Sequence, residues 1–348
     1  MPRINFILFC LPAILFCLPV DTFAATGGKI KVVASYADYA AIAREIGGER
    51  VVTDYMSYGD MDPHFVQPKP SLVKKLSAAD LWVETGLDLE LWATTLLDKA
   101  HNSKIMDGTP GYVSVCTGID LLEKPTTALS RTEGDIHIYG NPHIHTGPQN
   151  WSKIAENILI GLVRVDPAGE QYYRENYAKY SDRVDRALFG AELVRLIGGK
   201  LLEDMLRSGT FFQFLEKDYQ GAPLVHKLGG WLKEALPLRG LKIISYHKSW
   251  PYFVSCFGLE EVGYIEPKPG IPPSARHVGD IIDLIQNQKI RILTVATYFE
   301  KNNPQMIEQR TGIKAVYLPL HCGGSPELQD DFVLMDYWLK SLLSALGQ

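Results

Sequence analysis

A weak internal repeat constrains the fold of this chain more than any other feature of its sequence. Residues 31–51 (KVVASYADYAAIAREIGGERV) align without a gap on residues 242–262 (KIISYHKSWPYFVSCFGLEEV). Each copy begins as an apolar strand, passes through a turn that contains tyrosine, and continues as a helix that ends at a glycine. A proline-containing loop, a helix and another strand follow each copy. The pattern therefore predicts an α/β fold of two similar lobes, each built on a parallel sheet with helices on its faces.

The N-terminal residues predict that the protein is exported. Arg3 is followed by an almost wholly apolar run over residues 4–20, and Ala24 and Ala25 offer small residues for cleavage. We expect residues 1–25 to be a signal peptide that is cleaved, and the mature protein to be periplasmic. The 348-residue chain is still long enough for two domains after this loss.

A charged, tyrosine-rich stretch at residues 167–188 lies between the two copies of the repeat. Its Tyr173, Tyr177, Tyr180 and Val184 recur at helical spacing, with charged residues on the opposite face. At 3.6 residues per turn the stretch makes about six turns, which suits a helix that connects two lobes. The predicted organisation is an N-terminal lobe at 26–166, a connecting helix at 167–190 and a C-terminal lobe at 191–348.

The composition narrows the classes of protein. Charged residues make up 22% and hydrophobic residues 46% of the chain, as in an ordinary globular protein. A net charge of -5 gives no reason to expect nucleic acid as a partner. We also expect the protein to be a monomer. Cleavage leaves three cysteines, Cys116, Cys256 and Cys322. Their odd number leaves at least one free thiol or metal ligand, although a disulfide between Cys116 and Cys256 is one alternative.

Histidines far apart in the chain are the main candidates for chemistry. His64, His143 and His247 end the short motifs DPH, NPH and SYH, and His321 follows an apolar strand near the C-terminus. Each lies where a predicted strand gives way to a turn or helix, and open α/β sheets bind ligands at such strand ends. Imidazole is the commonest protein metal ligand and suits zinc. Because the ligands are so dispersed, the sequence excludes a zinc finger and favours a site in a cleft between lobes.

Five segments together resemble the periplasmic solute-binding proteins of zinc and manganese ABC transporters. In order they are MDPHFVQPKPSLVKKLSAADLWVETGLDLELW, YGNPHIHTGPQN, DPAGEQYYRENYAKYSDRVDRAL, ISYHKSWPYF and EPKPGIPPSARHV, and they span nearly all of the mature chain. The resemblance implies two lobes joined by one long helix, a metal ion between them, and delivery of that ion to a membrane permease. It also implies ligand roles for His64, His143 and His247. Histidine at the third place is typical of zinc members, so we expect Zn²⁺, with Mn²⁺ second.

The sequence departs from that family at the fourth ligand. Family members usually have an aspartate near the C-terminus, whereas this chain has YLPLHCGGSPE. His321, Cys322 or a water molecule are the alternatives for the fourth place, and we prefer His321 because it directly follows the predicted strand 316–320. His137 and His145 flank His143 and are candidates for alternate ligands, although an exposed loop position is the more common reading for both.

The expected function is therefore binding and transport of zinc without catalysis. The first alternative is a zinc-dependent hydrolase, in which three protein ligands leave room for a reactive water. Neither a G-x-S-x-G elbow nor an H-E-x-x-H motif supports it. The second alternative is a metal-sequestering or adhesin-like protein that has no transporter.

Overall fold

The computed structural model of the chain describes residues 28–125, 138–268 and 270–347. The expected signal peptide and His137 lie outside the described residues. The first half contains β1 Ile30–Tyr36, α1 Ala37–Gly47, β2 Val51–Ser57, α2 Pro70–Ser77, β3 Leu81–Glu84, α3 Leu91–Ala100, β4 Tyr112–Ser114 and α4 Trp151–Val165. The middle contains α5 Glu170–Phe189, α6 Ala191–Ile197, α7 Gly199–Arg207, α8 Phe211–Leu215 and the short strands β5 Asp218–Tyr219 and β6 Ala222–Pro223. The last part contains α9 Gly230–Glu234, β7 Lys242–Ser245, α10 Pro251–Phe257, β8 Glu260–Tyr264, α11 Ala275–Gln288, β9 Ile292–Ala296, α12 Asn302–Thr311, β10 Lys314–Leu318 and α13 Asp331–Ala345.

Two parallel sheets of four strands carry the fold. The first has the strand order β2-β1-β3-β4 and the second the order β8-β7-β9-β10, with every pairing parallel. The order is the same in both when the strands are counted from the start of each half. This shared order confirms the prediction of two similar α/β lobes. The inner strands are apolar and almost wholly buried, as expected for parallel sheets covered by helices on both faces.

The helix α5 is the predicted connecting helix. A short 3-10 turn at Pro167–Gly169 leads into it, and it ends before Gly190, whose φ of 80° favours glycine. Its buried face includes Tyr173, Tyr180 and Val184, as the helical spacing predicts. This face packs on α1 and α4 from the first half and on α9 from the second. The domain boundaries themselves stay predictions.

The carboxyl ends of the two sheets meet. Gly59, after β2, donates its backbone N–H to the carbonyl of Cys322, after β10, at 3.1 Å. The hydroxyl of Thr297 donates to Asp60 at 2.7 Å. A Cβ on Gly59 would lie 2.8 Å from Cα of Gly324, so this close approach requires glycine. The segments that follow β2, β9 and β10 therefore lie close together.

Cys116, Cys256 and Cys322 are all free, so the structure contains no disulfide between Cys116 and Cys256.

Over the described ranges, no helix has both the length and the apolar character needed to cross a membrane. The strand predicted at 316–320 is shorter at its C-terminal end than expected, because Pro319 has no backbone N–H to continue the ladder.

Candidate metal centre

Two histidines are presented by the same kind of turn. The backbone N–H of His64 donates to Oδ1 of Asp62 at 2.9 Å, and that of His143 donates to Oδ1 of Asn141 at 3.0 Å. Asp and Asn form such turns because their side-chain oxygen reaches the backbone two residues further on. The proline between the two residues restricts the residue before it to extended conformations. The two Asx-Pro-His motifs therefore hold their histidines at defined positions.

Neighbouring side chains fix both turns. The carbonyl of Pro63 accepts a hydrogen bond from Nε1 of Trp92 at 2.9 Å. The side-chain amide of Asn141 donates to the carbonyl of Lys248 at 2.8 Å. Because Lys248 directly follows His247, this second hydrogen bond ties the His143 turn to the segment that carries the third histidine.

His247 is a buried imidazole with a carboxylate partner. It lies two residues after the end of β7 and is only 4% exposed. Its Nδ1 is 2.7 Å from Oε2 of Glu266, which follows β8 at the same edge of the sheet. Burial lowers the pKa of His247, while the hydrogen bond to Glu266 partly offsets this effect. The ring is therefore neutral at neutral pH, as a metal ligand must be.

The rings of His64, His143 and His247 converge. One ligand nitrogen from each lies within 4.8 Å of those from the other two. Their centroids are 5.2 to 5.7 Å apart, and the ring planes cross at 68° to 88°. Two nitrogens that each lie about 2.1 Å from one zinc ion are at most about 4.2 Å apart. Small side-chain shifts would therefore bring all three rings onto one ion.

Carboxylates orient two of the three rings. Nδ1 of His64 is 2.9 Å from Oδ1 of Asp62, in the same relation as His247 to Glu266. Burial on its own would raise the pKa of Asp62, but the hydrogen bonds that it accepts from His64 lower it, so this carboxyl is ionised. A carboxylate on Nδ1 fixes the tautomer and leaves Nε2 to bind a metal. Neither carboxylate partner was predicted from the sequence, although Asp62 lies only two residues before His64.

His321 does not belong to this group of three. It is fully buried, and its Nδ1 lies 2.6 Å from Oδ2 of Asp38. Its ring stacks on those of Tyr36 and His145, with both centroid distances at 4.4 Å. Side chains would have to move before one ion could contact His321 together with His64, His143 and His247. The assignment of His321 as fourth ligand therefore stays a prediction. Cys322 also lies outside the group of three.

The remaining histidines differ from one another. His145 is only 4% exposed, so the expectation of an exposed loop position was wrong, because Tyr36 and His321 cover it from distant parts of the chain. Burial, together with the nearby His321, lowers the pKa of His145 to about 3. Its role as an alternate ligand stays a prediction. Among the described residues, none of His101, His226 and His277 belongs to a group of potential metal ligands.

Comparisons with known proteins agree with this architecture. The profile of a family described as "Zinc-uptake complex component A periplasmic" (ZnuA) matches residues 32–188 and 225–345. The manganese ABC transporter substrate-binding lipoprotein PsaA of Streptococcus anginosus is 29% identical over 47% of this chain and 50% of its own length. The chain thus spans about half the length of that relative. The iron-binding protein YfeA of Yersinia pestis is 25% identical over 93% of this chain and 88% of its own.

Solved structures show the same fold. A crystal structure of ZnuA superimposes with a TM-score of 0.65 at 20% identity, covering 91% of this chain and 99% of the other. The relatives are named as binding proteins and not as enzymes, so the zinc-hydrolase alternative is not supported. Their names mention zinc, manganese and iron, so the comparisons leave the choice of metal to the chemistry of the site.

Proposed function

Since the chain belongs to the family of periplasmic zinc-uptake complex component A, we propose that it binds a divalent transition metal, preferentially zinc, and delivers it to the permease of an ABC transporter. The observation that carries the proposal is the convergence of His64, His143 and His247 at the meeting edges of the two sheets. These residues come from three separate segments, so only the folded chain assembles the site.

The ligand chemistry supports zinc over manganese. Three neutral imidazoles suit zinc, copper or nickel, whereas manganese prefers carboxylate, carbonyl and water oxygens. Two carboxylates do lie near the rings, but Asp62 and Glu266 are engaged by Nδ1 of His64 and His247. They therefore act on the basicity and orientation of the rings rather than offering a second set of ligands.

The fourth coordination position has three candidates. His321 is our first choice, since Asp38 holds its Nδ1 and its Nε2 has no hydrogen-bond partner among the described residues. Cys322 and a water molecule are the others. Both four-histidine and three-histidine sets are known for zinc, the latter with water in the open place.

Transport requires capture and release. We propose that the protein is exported, that neutral imidazoles capture the ion while the lobes are apart, and that closure of the lobes excludes water. Some contacts between the lobes are exposed to solvent, such as the hydrogen bond that Thr297 donates to Asp60 at 2.7 Å, and we propose that these break when a permease docks. A protein that only sequesters metal would share the site, but zinc uptake by cells would not depend on it.

Substitution of the three histidines tests the proposal. We expect His64→Ala, His143→Ala and His247→Ala each to weaken zinc binding by at least about tenfold in titration calorimetry, since each removes one ligand from the ion. His101→Ala and His226→Ala are matched controls in exposed positions and should bind as the wild type does. Wild-type affinity in any of the first three variants removes that residue from the site.

A further inference from the structure

A second group of potential metal ligands lies outside the three-histidine group. The carboxylates of Asp38 and Asp331 and the thiol of Cys322 each place one ligand atom within 4.8 Å of the other two. All three residues are buried, with exposed fractions of 3%, 4% and 1%. Buried carboxylates and thiols are costly unless they are paired, hydrogen-bonded or bound to a metal. The group therefore needs a physical explanation that the three-histidine site does not supply.

Hydrogen bonds satisfy only part of this group. Asp38 accepts from Nδ1 of His321 at 2.6 Å through Oδ2, and from the backbone N–H of Cys322 at 3.2 Å through Oδ1. Asp331 is only 4% exposed, yet its Oδ1 has no hydrogen-bond partner among the described residues. A buried oxygen without a hydrogen-bond partner calls for an explanation, and a bound ion or water molecule is one. A metal ion that contacts Asp331 would satisfy this oxygen.

We propose that Asp38, Cys322 and Asp331 form a second metal site, which takes a thiophilic divalent cation such as zinc or cadmium. Thiolate and carboxylate are both ordinary zinc ligands, and the thiolate selects against manganese and magnesium. The second group shares no residue with the three histidines, although Cys322 is also an alternative for their fourth ligand and Asp38 holds His321.

The electrostatics of the group agree with this assignment. Burial raises the pKa of Asp331 well above its usual range, and the nearby Asp38 adds to the effect. Burial likewise raises the pKa of the Cys322 thiol, with Asp38 again contributing. A divalent cation at this position would balance the negative charge that two carboxylates and a thiolate place in the buried interior.

The second site spans the two halves of the fold. Asp38 lies in the first turn of α1, whereas Cys322 follows β10 and Asp331 begins α13. Because the three residues are buried where the halves meet, an ion enters only while the halves are apart. Once bound, it links α1 to the C-terminal part and stabilises the closed arrangement. The site would thus act as a metal-dependent clasp between the lobes.

Cadmium titration of the mature protein tests the proposal. Cadmium bound to a thiolate gives an intense ultraviolet sulfur-to-metal charge-transfer band, whereas cadmium bound only to imidazole does not. We expect the wild type to bind two cadmium ions, one of which gives the band. The variant His64→Ala/His143→Ala/His247→Ala should bind one ion and keep the band. Cys322→Ser should bind one ion without the band.

Two further variants separate ligation from general damage. Asp331→Asn keeps the volume of the side chain but removes its charge, so it should weaken the band-forming site by at least about tenfold. Cys256→Ser replaces another fully buried thiol and should keep both the stoichiometry and the band. Far-ultraviolet circular dichroism confirms that each variant is folded.

The outcomes distinguish the two sites. A wild type that binds one ion without the band, and loses it in the triple histidine variant, rejects the second site and keeps the proposed function. A wild type that binds one ion with the band, and keeps it in the triple variant, rejects the three-histidine site instead. A band that survives Cys322→Ser also overturns the assignment of the thiol.

Discussion

Glu266 gives the sharpest test of how the structure tunes the three-histidine site. Its Oε2 is 2.7 Å from Nδ1 of His247, and the two side chains are only 10% and 4% exposed. Replacing Glu266 by glutamine keeps the size of the side chain but removes the charge that raises the basicity of the imidazole. Loss of such a partner typically costs a metal site 10- to 100-fold in affinity, or about 1.4 to 2.8 kcal/mol. We expect a loss in this range for zinc.

The assay is competition with a chromophoric zinc chelator near neutral pH. Glu260→Gln is the matched control, since Glu260 lies on β8, the strand that Glu266 follows, and is exposed, with Nζ of Lys242 3.9 Å from its Oε1. It should bind zinc as the wild type does. An affinity for Glu266→Gln within about twofold of the wild type would refute the argument that this carboxylate orients and activates His247.

The pH dependence of this variant adds a second readout. Burial lowers the pKa of His247, and Glu266 partly restores it. In Glu266→Gln the imidazole should therefore bind protons more weakly as well as zinc more weakly. As the pH falls, protons compete more strongly in the wild type, so the difference in zinc affinity should shrink. A difference that grows on acidification would contradict this reasoning.

Three other predictions concern the whole site. Zinc at about 100 times its dissociation constant should stabilise the fold by about 2.7 kcal/mol in thermal unfolding, and a larger shift with equal free manganese would overturn the preference for zinc. His321→Ala should cost the three-histidine site more zinc affinity than Cys322→Ser, because Cys322 is grouped with Asp38 and Asp331; the reverse order in calorimetry would make the thiol the fourth ligand. Zinc affinity should fall as the pH drops through roughly 6.5, because protons compete with zinc for the imidazoles. The lowered pKa of His247 shifts the protonation of that ring to lower pH. An affinity that does not depend on pH would exclude imidazole ligands.

The repeat and the histidine motifs account for most of the features that could be predicted from the sequence, namely the two lobes and the three histidines of the site. Strand, turn and helix recur locally in residues 31–51 and 242–262, so the two lobes follow from short-range pattern. The order of strands within each sheet is set by long-range packing and could not be read from that pattern. His64, His143 and His247 could be predicted for a related reason. His64 and His143 each follow a proline turn, and His247 lies two residues after the end of β7.

The carboxylate partners of the buried histidines were harder to predict from the sequence. Glu266 is 19 residues from His247, and Asp38 is 283 residues from His321. Nothing in the local sequence around either histidine indicates such a distant carboxylate. The burial of His145 was missed for the same reason, since it depends on Tyr36 and His321, which only the folded chain brings against it.

The most direct test of the metal site is a crystal of the mature protein soaked with zinc, with data collected on both sides of the zinc absorption edge. We expect an anomalous peak at which one ring nitrogen each of His64, His143 and His247 lies about 2.0 to 2.1 Å from the ion. The same map identifies the fourth ligand as His321, Cys322 or water. The central claim is contradicted if the tightest zinc peak lies elsewhere, or if any of these three rings turns away from it.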